Sequence, residues 1–301
     1  MKRYSVRPAT PKDIEAVYEL IAKQKTIDFG NAMMSLEDLR KLWETIDLDT
    51  DTLTAFAEGE LAGYAELLDG DSPFIYLANR NNVDLGFQLL KLLEQKAAIR
   101  ATGRIQLATQ ISEKNQSLIQ LFASNGYESN LSFLIMELML NEPPPLPQWA
   151  EGIQVRTFVP GSDEQATYQT DEEAAHDKGY HNPLSYEGWV KRMGMNRETF
   201  DSTIWFLACD ESETVGVALN VLGKVPDTVW VDHLSVRRAW RNKGIGKALL
   251  LHSFGEFYKR GIQIVKLSVD SKSLTNAPRL YESVGMQTTQ QYHIYKKDLQ
   301  M

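Results

Sequence analysis

Arg241-Asn242-Lys243-Gly244-Ile245-Gly246-Lys247 sets two glycines among three cationic side chains, between a strand-like stretch at 229–236 and a helix-like stretch at 248–258. A strand that breaks into a glycine-bearing turn and then starts a helix presents unpaired backbone N–H groups and the positive end of the helix dipole, which suits a phosphate. The glycines remove side chains where the phosphate must approach the backbone. From Arg237 to Lys247 there are five basic residues and no acid, although the chain carries a net charge of -8. A local sign opposed to the global one argues for a focused anion site and against a broad nucleic-acid-binding face.

Two common phosphate loops do not fit. The Walker pattern requires four residues between its glycines and a hydroxyl after the lysine, whereas Gly244 and Gly246 are two apart and Ala248 follows Lys247. The dinucleotide fingerprint requires a third glycine where Leu249 stands. What fits is Arg-x-x-Gly-x-Gly after a strand ending Leu234-Ser235-Val236. A second strand follows at 263–270, then a helix at 277–284 carrying Leu280-Tyr281, then Gly285. This combination resembles the acetyl-CoA-binding core of the GNAT superfamily of N-acetyltransferases.

The resemblance implies that the pantetheine arm of acetyl-CoA lies between splayed parallel strands 229–236 and 263–270. It would pair with backbone at Leu234, Ser235 and Val236, with its pyrophosphate on Arg241, Asn242, Lys243, Gly244, Ile245, Gly246 and Lys247. Acyl transfer needs a neutral amine, a donor for the developing oxyanion and a proton for the departing thiolate. Backbone N–H near Leu234 suits the oxyanion, and Tyr281, at the position of the superfamily's tyrosine, suits the thiolate, its phenol having an ordinary pKa of ~10. For the base, strand alternation puts Asp232 on the side of Leu234 and Val236 and turns His233 away unless a bulge intervenes. Asp232 is the first candidate and His233 the second; alternatively Asp232 only orients the amine and water carries the proton.

The acceptor pocket is expected from the helical segment 164–200, where His176, Tyr180 and Trp189 are the candidate contacts; acids beside aromatics suit a cationic amine. The expected acceptor is a primary amine of a small molecule. A non-catalytic acyl-CoA-binding module is the alternative.

The elements that hold these residues occur twice. Val6-Arg7 before a helix at 11–23 parallels Val155-Arg156 before a helix at 164–178, and hairpins at 53–67 and 205–221 follow. Apolar helices at 87–99 and 248–258 come next, and Leu121-Phe122 with Gly126 parallels Leu280-Tyr281 with Gly285. The Pro-rich stretch 142–147 holds four of the chain's eleven prolines and reads as a spacer. The expected organisation is a degenerate domain at 1–141, a linker at 142–151 and a catalytic domain at 152–301. In fold class each domain is α/β, a mixed and mostly antiparallel sheet with a splayed parallel pair, flanked by helices.

In the first copy Asn81 stands for Arg241, Asp84 for Gly244 and Phe122 for Tyr281, so both the anion site and the phenol are missing. Basic and acidic side chains number 14 and 20 in 1–141, against 18 and 18 in 152–301. The single cysteine allows no internal disulfide, and the five scattered histidines suggest no metal site. No stretch has the length and apolarity of a membrane span or the pattern of a signal peptide, so a cytoplasmic monomer or homodimer without a membrane partner is expected.

Overall fold

The computed structural model of this chain describes residues 4–299 other than 102, 177–181, 198, 212 and 224. The first half runs β1 (Ser5–Arg7), α1 (Ile14–Phe29), α2 (Leu36–Thr45), α3 (Leu48–Asp51), β2 (Thr52–Ala57), β3 (Glu60–Leu68), β4 (Ser72–Leu77), α4 (Val83–Arg100), β5 (Ile105–Ser112), α5 (Gln116–Ser124) and β6 (Glu128–Met139). The second half runs β7 (Ile153–Thr157), α6 (Glu164–Ala175), α7 (Tyr186–Arg192), β8 (Phe206–Asp210), β9 (Glu213–Leu222), β10 (Thr228–Val236), α8 (Ile245–Lys259), β11 (Ile264–Asp270), α9 (Ala277–Glu282) and β12 (Gln287–Leu299). Among the described residues, no helix is long and apolar enough to cross a membrane.

The chain divides into two compact units, but not at the Pro-rich segment. One unit takes the residues up to Ser132 together with those from Gln290 onward, and the other takes Phe133–Thr289. The difference from the sequence-based boundary has a simple topological cause: each half gives its last strand to the other unit. From Phe133 to Met139, β6 pairs antiparallel with β11, and from Tyr292 to Leu299, β12 pairs antiparallel with β5. Nor is 142–151 only a spacer, since Trp149 packs edge-on against His252 of α8, 6.2 Å between ring centres.

In the second unit the strands run β6-β11-β10-β9-β8-β7, antiparallel except at β10 and β11. Those two are parallel and pair only where Thr228–Trp230 face Ile264–Lys266, then run on unpaired. Leu249, Leu250, Phe254 and Phe257 of α8 are buried with Val215, Val217 and Val229 of the sheet in one core. Burying such side chains stabilises by roughly 1.5–3 kcal/mol each, which anchors α8 with its N-terminus at the open end of the β10–β11 gap. The first unit repeats the plan with an antiparallel β1-β2-β3-β4 sheet and the β5–β12 pair.

Both copies share a device at the entry to their first long helix. Arg7 holds Asp13 with two hydrogen bonds of 2.7 and 2.8 Å, and Arg156 holds Asp163 with two of 2.5 and 2.7 Å. Hydrogen bonding to Arg7 brings the Asp13 carboxyl down to about 2 against the effect of burial, and Arg156 lowers Asp163 in the same way. The match fixes the alignment of α1 on α6 residue by residue, Asp13 standing for Asp163.

Candidate functional site

Strand β10 carries a β-bulge. Val231 faces Asn220 and His233 faces Leu219, so Asp232 is the extra residue. Simple alternation therefore fails here. His233 and Ser235 both turn toward α6, where His233 Nδ1 lies 2.7 Å from Asp171 Oδ2 and Ser235 Oγ donates to Asp171 Oδ1 at 2.7 Å. Trp189 Nε1 donates to the same Asp171 Oδ2 at 2.9 Å. The side chain of Asp171 is only 4% exposed, that of His233 17% and that of Asp232 51%, with Asp232 Oδ2 lying 3.8 Å from His233 Nε2.

The electrostatics follow from these contacts. Burial pushes the Asp171 carboxyl up, but His233, Trp189 and Ser235 together outweigh it and hold the group down at about 2. An ionised carboxylate only accepts hydrogen bonds, so Nδ1 of His233 carries a proton toward Asp171. Three donors compensate a buried charge that would otherwise be costly.

The edge of β10 away from β9 is open to an extended chain. Arg237 N–H donates to Val215 O at 2.9 Å, which makes 237 and 215 a hydrogen-bonded pair. By alternation Ser235 and His233 also direct their backbone groups to β9, and those of Leu234 and Val236 point into the gap left by β11. The expectation that Ser235 serves the cofactor is therefore corrected: its backbone belongs to the β9 ladder and its hydroxyl to Asp171. Leu234 and Val236 have backbone groups on the gap side of β10. They lie near Gly246, where an added Cβ would stand 3.4 Å from Leu280, 3.7 Å from Val236 and 4.0 Å from Leu234. Glycine keeps that corner open.

The turn behaves as its composition suggests. Asn242 and Gly244 both adopt left-handed backbone, with φ of 61° and 80°. Gly244 is the N-cap of α8 and has no side chain to occupy the first N–H groups, so these stay available to an anion. Arg241 Nε donates to Val236 O at 2.9 Å and holds the turn against the strand end. Asn242, Lys243 and Lys247 are exposed at the turn, whereas Ile245 is buried and can offer only its backbone. Arg237 is committed to Glu173 and Glu213, so the cationic cluster is smaller than the sequence suggests.

Tyr281 lies on α9, 9% exposed and packed in the core cluster of this unit, at the end of the segment that follows β11. Trp189 requires a correction. It was expected to line the acceptor pocket, but it is 1% exposed and its indole N–H is directed to Asp171, because α7 packs its apolar face inward against Trp205 and Tyr168. His176 is exposed at the C-terminal end of α6, and Tyr180 lies outside the described residues. Asp171 was not singled out by the sequence reading, which counts it only among the acids beside aromatics in 164–200. The internal repeat carried a signal, since Asp171 aligns with Ile21.

In the first unit the corresponding gap between β4 and β5 is filled. Gln24 donates to Leu77 O, Ser112 Oγ donates to Asp28 O at 3.3 Å, and Asp28 also takes Asn115 and Arg80. The cavity left there is about 30 Å³, room for little more than a water molecule. Helix α4 starts at Val83 with Asn82 capping Leu85 N–H, and Asp84 falls in its first turn. The filled gap leaves no room for an extended chain, and the capped helix start with an acid in its first turn is less suited to an anion.

Residues 165–286 match the model of the acetyltransferase (GNAT) family. Mycothiol acetyltransferase of Thermobispora bispora is 28% identical over 284 residues, covering 92% of this chain and 93% of that protein. The protein of the same name from Amycolatopsis mediterranei is 28% identical over 260 residues, covering 77% and 79%. Among solved structures, a GCN5-related N-acetyltransferase from Sphaerobacter thermophilus is 33% identical with a TM-score of 0.83, covering 99% of this chain and 96% of that one. A tandem GNAT protein from the clavulanic acid biosynthesis pathway shares the fold, with a TM-score of 0.72 at 12% identity and 98% coverage of both chains.

Proposed function

We propose that this chain, which belongs to the GCN5-related N-acetyltransferase family, transfers an acetyl group from acetyl-CoA directly to a primary amine of a small molecule in its second unit. The observation that carries this reading is the β10 bulge, which sets a histidine held by a buried carboxylate beside an exposed carboxylate, next to an open strand edge. Bound acetyl-CoA supplies an acetyl group activated as a thioester. Leu234 and Val236 would hold its pantetheine by backbone pairing, and the turn Arg241–Lys247 its pyrophosphate. The glycine corner beside Leu280 and the uncapped α8 N-terminus fit that assignment.

Asp232 attracts the ammonium form of the acceptor, and His233 Nε2 takes one proton from its nitrogen. The nitrogen lone pair would form a bond to the acetyl carbonyl carbon and the carbon–sulfur bond would break as the Tyr281 phenol protonates the thiolate; the second proton of the attacking nitrogen then restores the phenol, and the proton on His233 leaves to solvent. The Leu234 N–H, directed into the gap, donates to the oxygen that gains negative charge. The first unit, with its gap filled, plays no chemical part. The relatives named mycothiol acetyltransferase are consistent with a small-molecule acceptor, and on this reading the reaction takes place in the cytoplasm.

The test is acetyl-CoA-dependent thiol release by the purified protein across a panel of small amines, with His233→Ala as the control. Turnover with an amine that is lost in His233→Ala supports the reading. Binding of acetyl-CoA without turnover on any amine would leave only the ligand-binding half of it.

A further inference from the structure

We infer that Asp171 is the positioning residue of the reaction, fixing the His233 ring with Nε2 toward the acceptor and balancing the imidazolium that forms when the amine proton arrives. This rests on His233 as the base. Asp171 touches neither the acceptor nor the thioester; it acts on His233 Nδ1 at 2.7 Å, while Ser235 and Trp189 hold its two oxygens in place. No sequence motif marks it.

The second copy of the fold in the same chain serves as an internal control. The Arg–Asp pairs that open α1 and α6 align Thr167, Thr170 and Asp171 with Val17, Leu20 and Ile21. For the strand, Ala78 N–H donates to Ala62 O as Arg237 N–H donates to Val215 O, and Gly63 faces Leu77 as Gly216 faces Val236. Counting back from there, His233 aligns with Phe74 and Ser235 with Tyr76. The three members of the polar group thus correspond to Ile21, Phe74 and Tyr76, which pack together in a hydrophobic cluster. The same scaffold therefore folds without a carboxylate at this position of its first long helix; the buried acid of that cluster, Glu66, comes instead from β3, opposite Phe74, and accepts from the Tyr64 hydroxyl. Where the gap is closed the three positions are Ile–Phe–Tyr, with no carboxylate–imidazole pair among them; where the gap is open they are Asp–His–Ser. The co-occurrence points to chemistry on His233.

A proton balance supports the assignment. At the start Nδ1 carries a proton bonded to Asp171 and Nε2 carries none. After the amine nitrogen gives up its proton both ring nitrogens are protonated, and the positive charge sits against Asp171, which stays ionised. The proton then leaves Nε2 to solvent, restoring the ring.

The test compares Asp171→Ile, the residue of the other copy, with Asp171→Asn, which keeps an acceptor but removes the charge. For Asp171→Ile, kcat should fall by about 10²- to 10⁴-fold, with the KM for acetyl-CoA within about twofold of wild type. Two-bond ¹H–¹⁵N spectra should show the neutral His233 ring moving from the Nδ1–H to the Nε2–H tautomer. For Asp171→Asn, the Nδ1–H tautomer should persist and kcat should recover to about tenfold below wild type, the cost of a neutral partner for the imidazolium. If Asp171→Ile does not fold, Asp171→Asn decides: the tenfold loss supports the inference and wild-type kcat overturns it. Loss of activity in His233→Ala with unchanged kcat and tautomer in both Asp171 variants would overturn the positioning role and leave the base in place. Unchanged kcat in His233→Ala would remove both.

Discussion

Arg241 donates from Nε to the carbonyl of Val236 at 2.9 Å, and in the first copy Gln24 of α1 donates to the matching carbonyl of Leu77. The same backbone acceptor is thus taken from opposite sides. In the second unit the donor comes from the phosphate turn and ties it to the strand end. In the first it comes from the helix across the gap and closes it.

Binding should accordingly be confined to one site. Calorimetry with CoA should give one equivalent per chain, because the first unit has a cavity of about 30 Å³ where the pantetheine would lie and a side-chain cap on α4. Two equivalents of similar affinity would return the first unit to consideration as an enzyme. Gln24→Ala should leave the count at one, since Asp28 still joins Arg80, Ser112 and Asn115 across the gap.

Gly244→Val should lose most acetyl-CoA affinity while the chain stays folded. Nothing lies within 4 Å of an added Cβ there, so the effect comes from the backbone: φ is 80°, a conformation that costs an ordinary L-residue roughly 1–2 kcal/mol and a β-branched one more. The turn would relax and misdirect its N–H groups. Gly244→Asn, which tolerates left-handed backbone, should retain more affinity than valine. Equal binding by Gly244→Val and wild type in calorimetry would show that the turn does not hold the phosphates.

These two sites differ in how far the sequence revealed them. The glycine turn before α8 and the place of Tyr281 on α9 were legible because both depend on spacing along the chain. Asp171 was not, because nothing local distinguishes it from Glu172 and Glu173; only the packing of α6 on β10 decides which acid faces inward. The bulge at Asp232 was equally hidden, and it is what turns His233 toward Asp171, on which the proposal of His233 as base rests. The exchange of β6 and β12 was invisible for another reason: both halves end in a strand of similar pattern, and strand pairing is nonlocal.

The exchange has its own consequence. A fragment of residues 1–141 lacks β12, which pairs with β5, and a fragment of 152–301 lacks β6, which pairs with β11. Each would expose an unpaired strand edge. Expressed alone, both should aggregate or give poorly dispersed NMR spectra; mixed during refolding, they should recover acetyl-CoA binding. A well-folded 152–301 fragment that binds CoA as tightly as the full chain would count against this account.

Glu66 should make the first unit sensitive to rising pH. Burial raises its carboxyl to about 7, against the opposing effects of the Tyr64 hydroxyl and Lys25. The folded state then binds the proton more tightly than the unfolded chain. The stabilisation is fully present below the ordinary carboxyl value and is lost as pH rises through about 7. Glu66→Gln should flatten that dependence, measured as urea midpoints across neutral pH. A wild-type midpoint that does not fall over this range would contradict the buried, protonated carboxyl.

Tyr281→Phe tests the proton donor. The ring is packed in the core of the second unit at 9% exposure, so phenylalanine should preserve stability while removing the hydroxyl. Loss of a general acid is worth about 10²- to 10⁴-fold in rate, and acetyl-CoA affinity should change little, because the proton is needed only as the thiolate leaves. The first copy already has Phe122 at the matching position, buried against Tyr127. Phe122→Tyr should confer no activity, since the gap above it stays closed. With chemistry shown to be rate-limiting, wild-type kcat in Tyr281→Phe would shift the proton to water or to the departing ammonium and take Tyr281 out of the reaction.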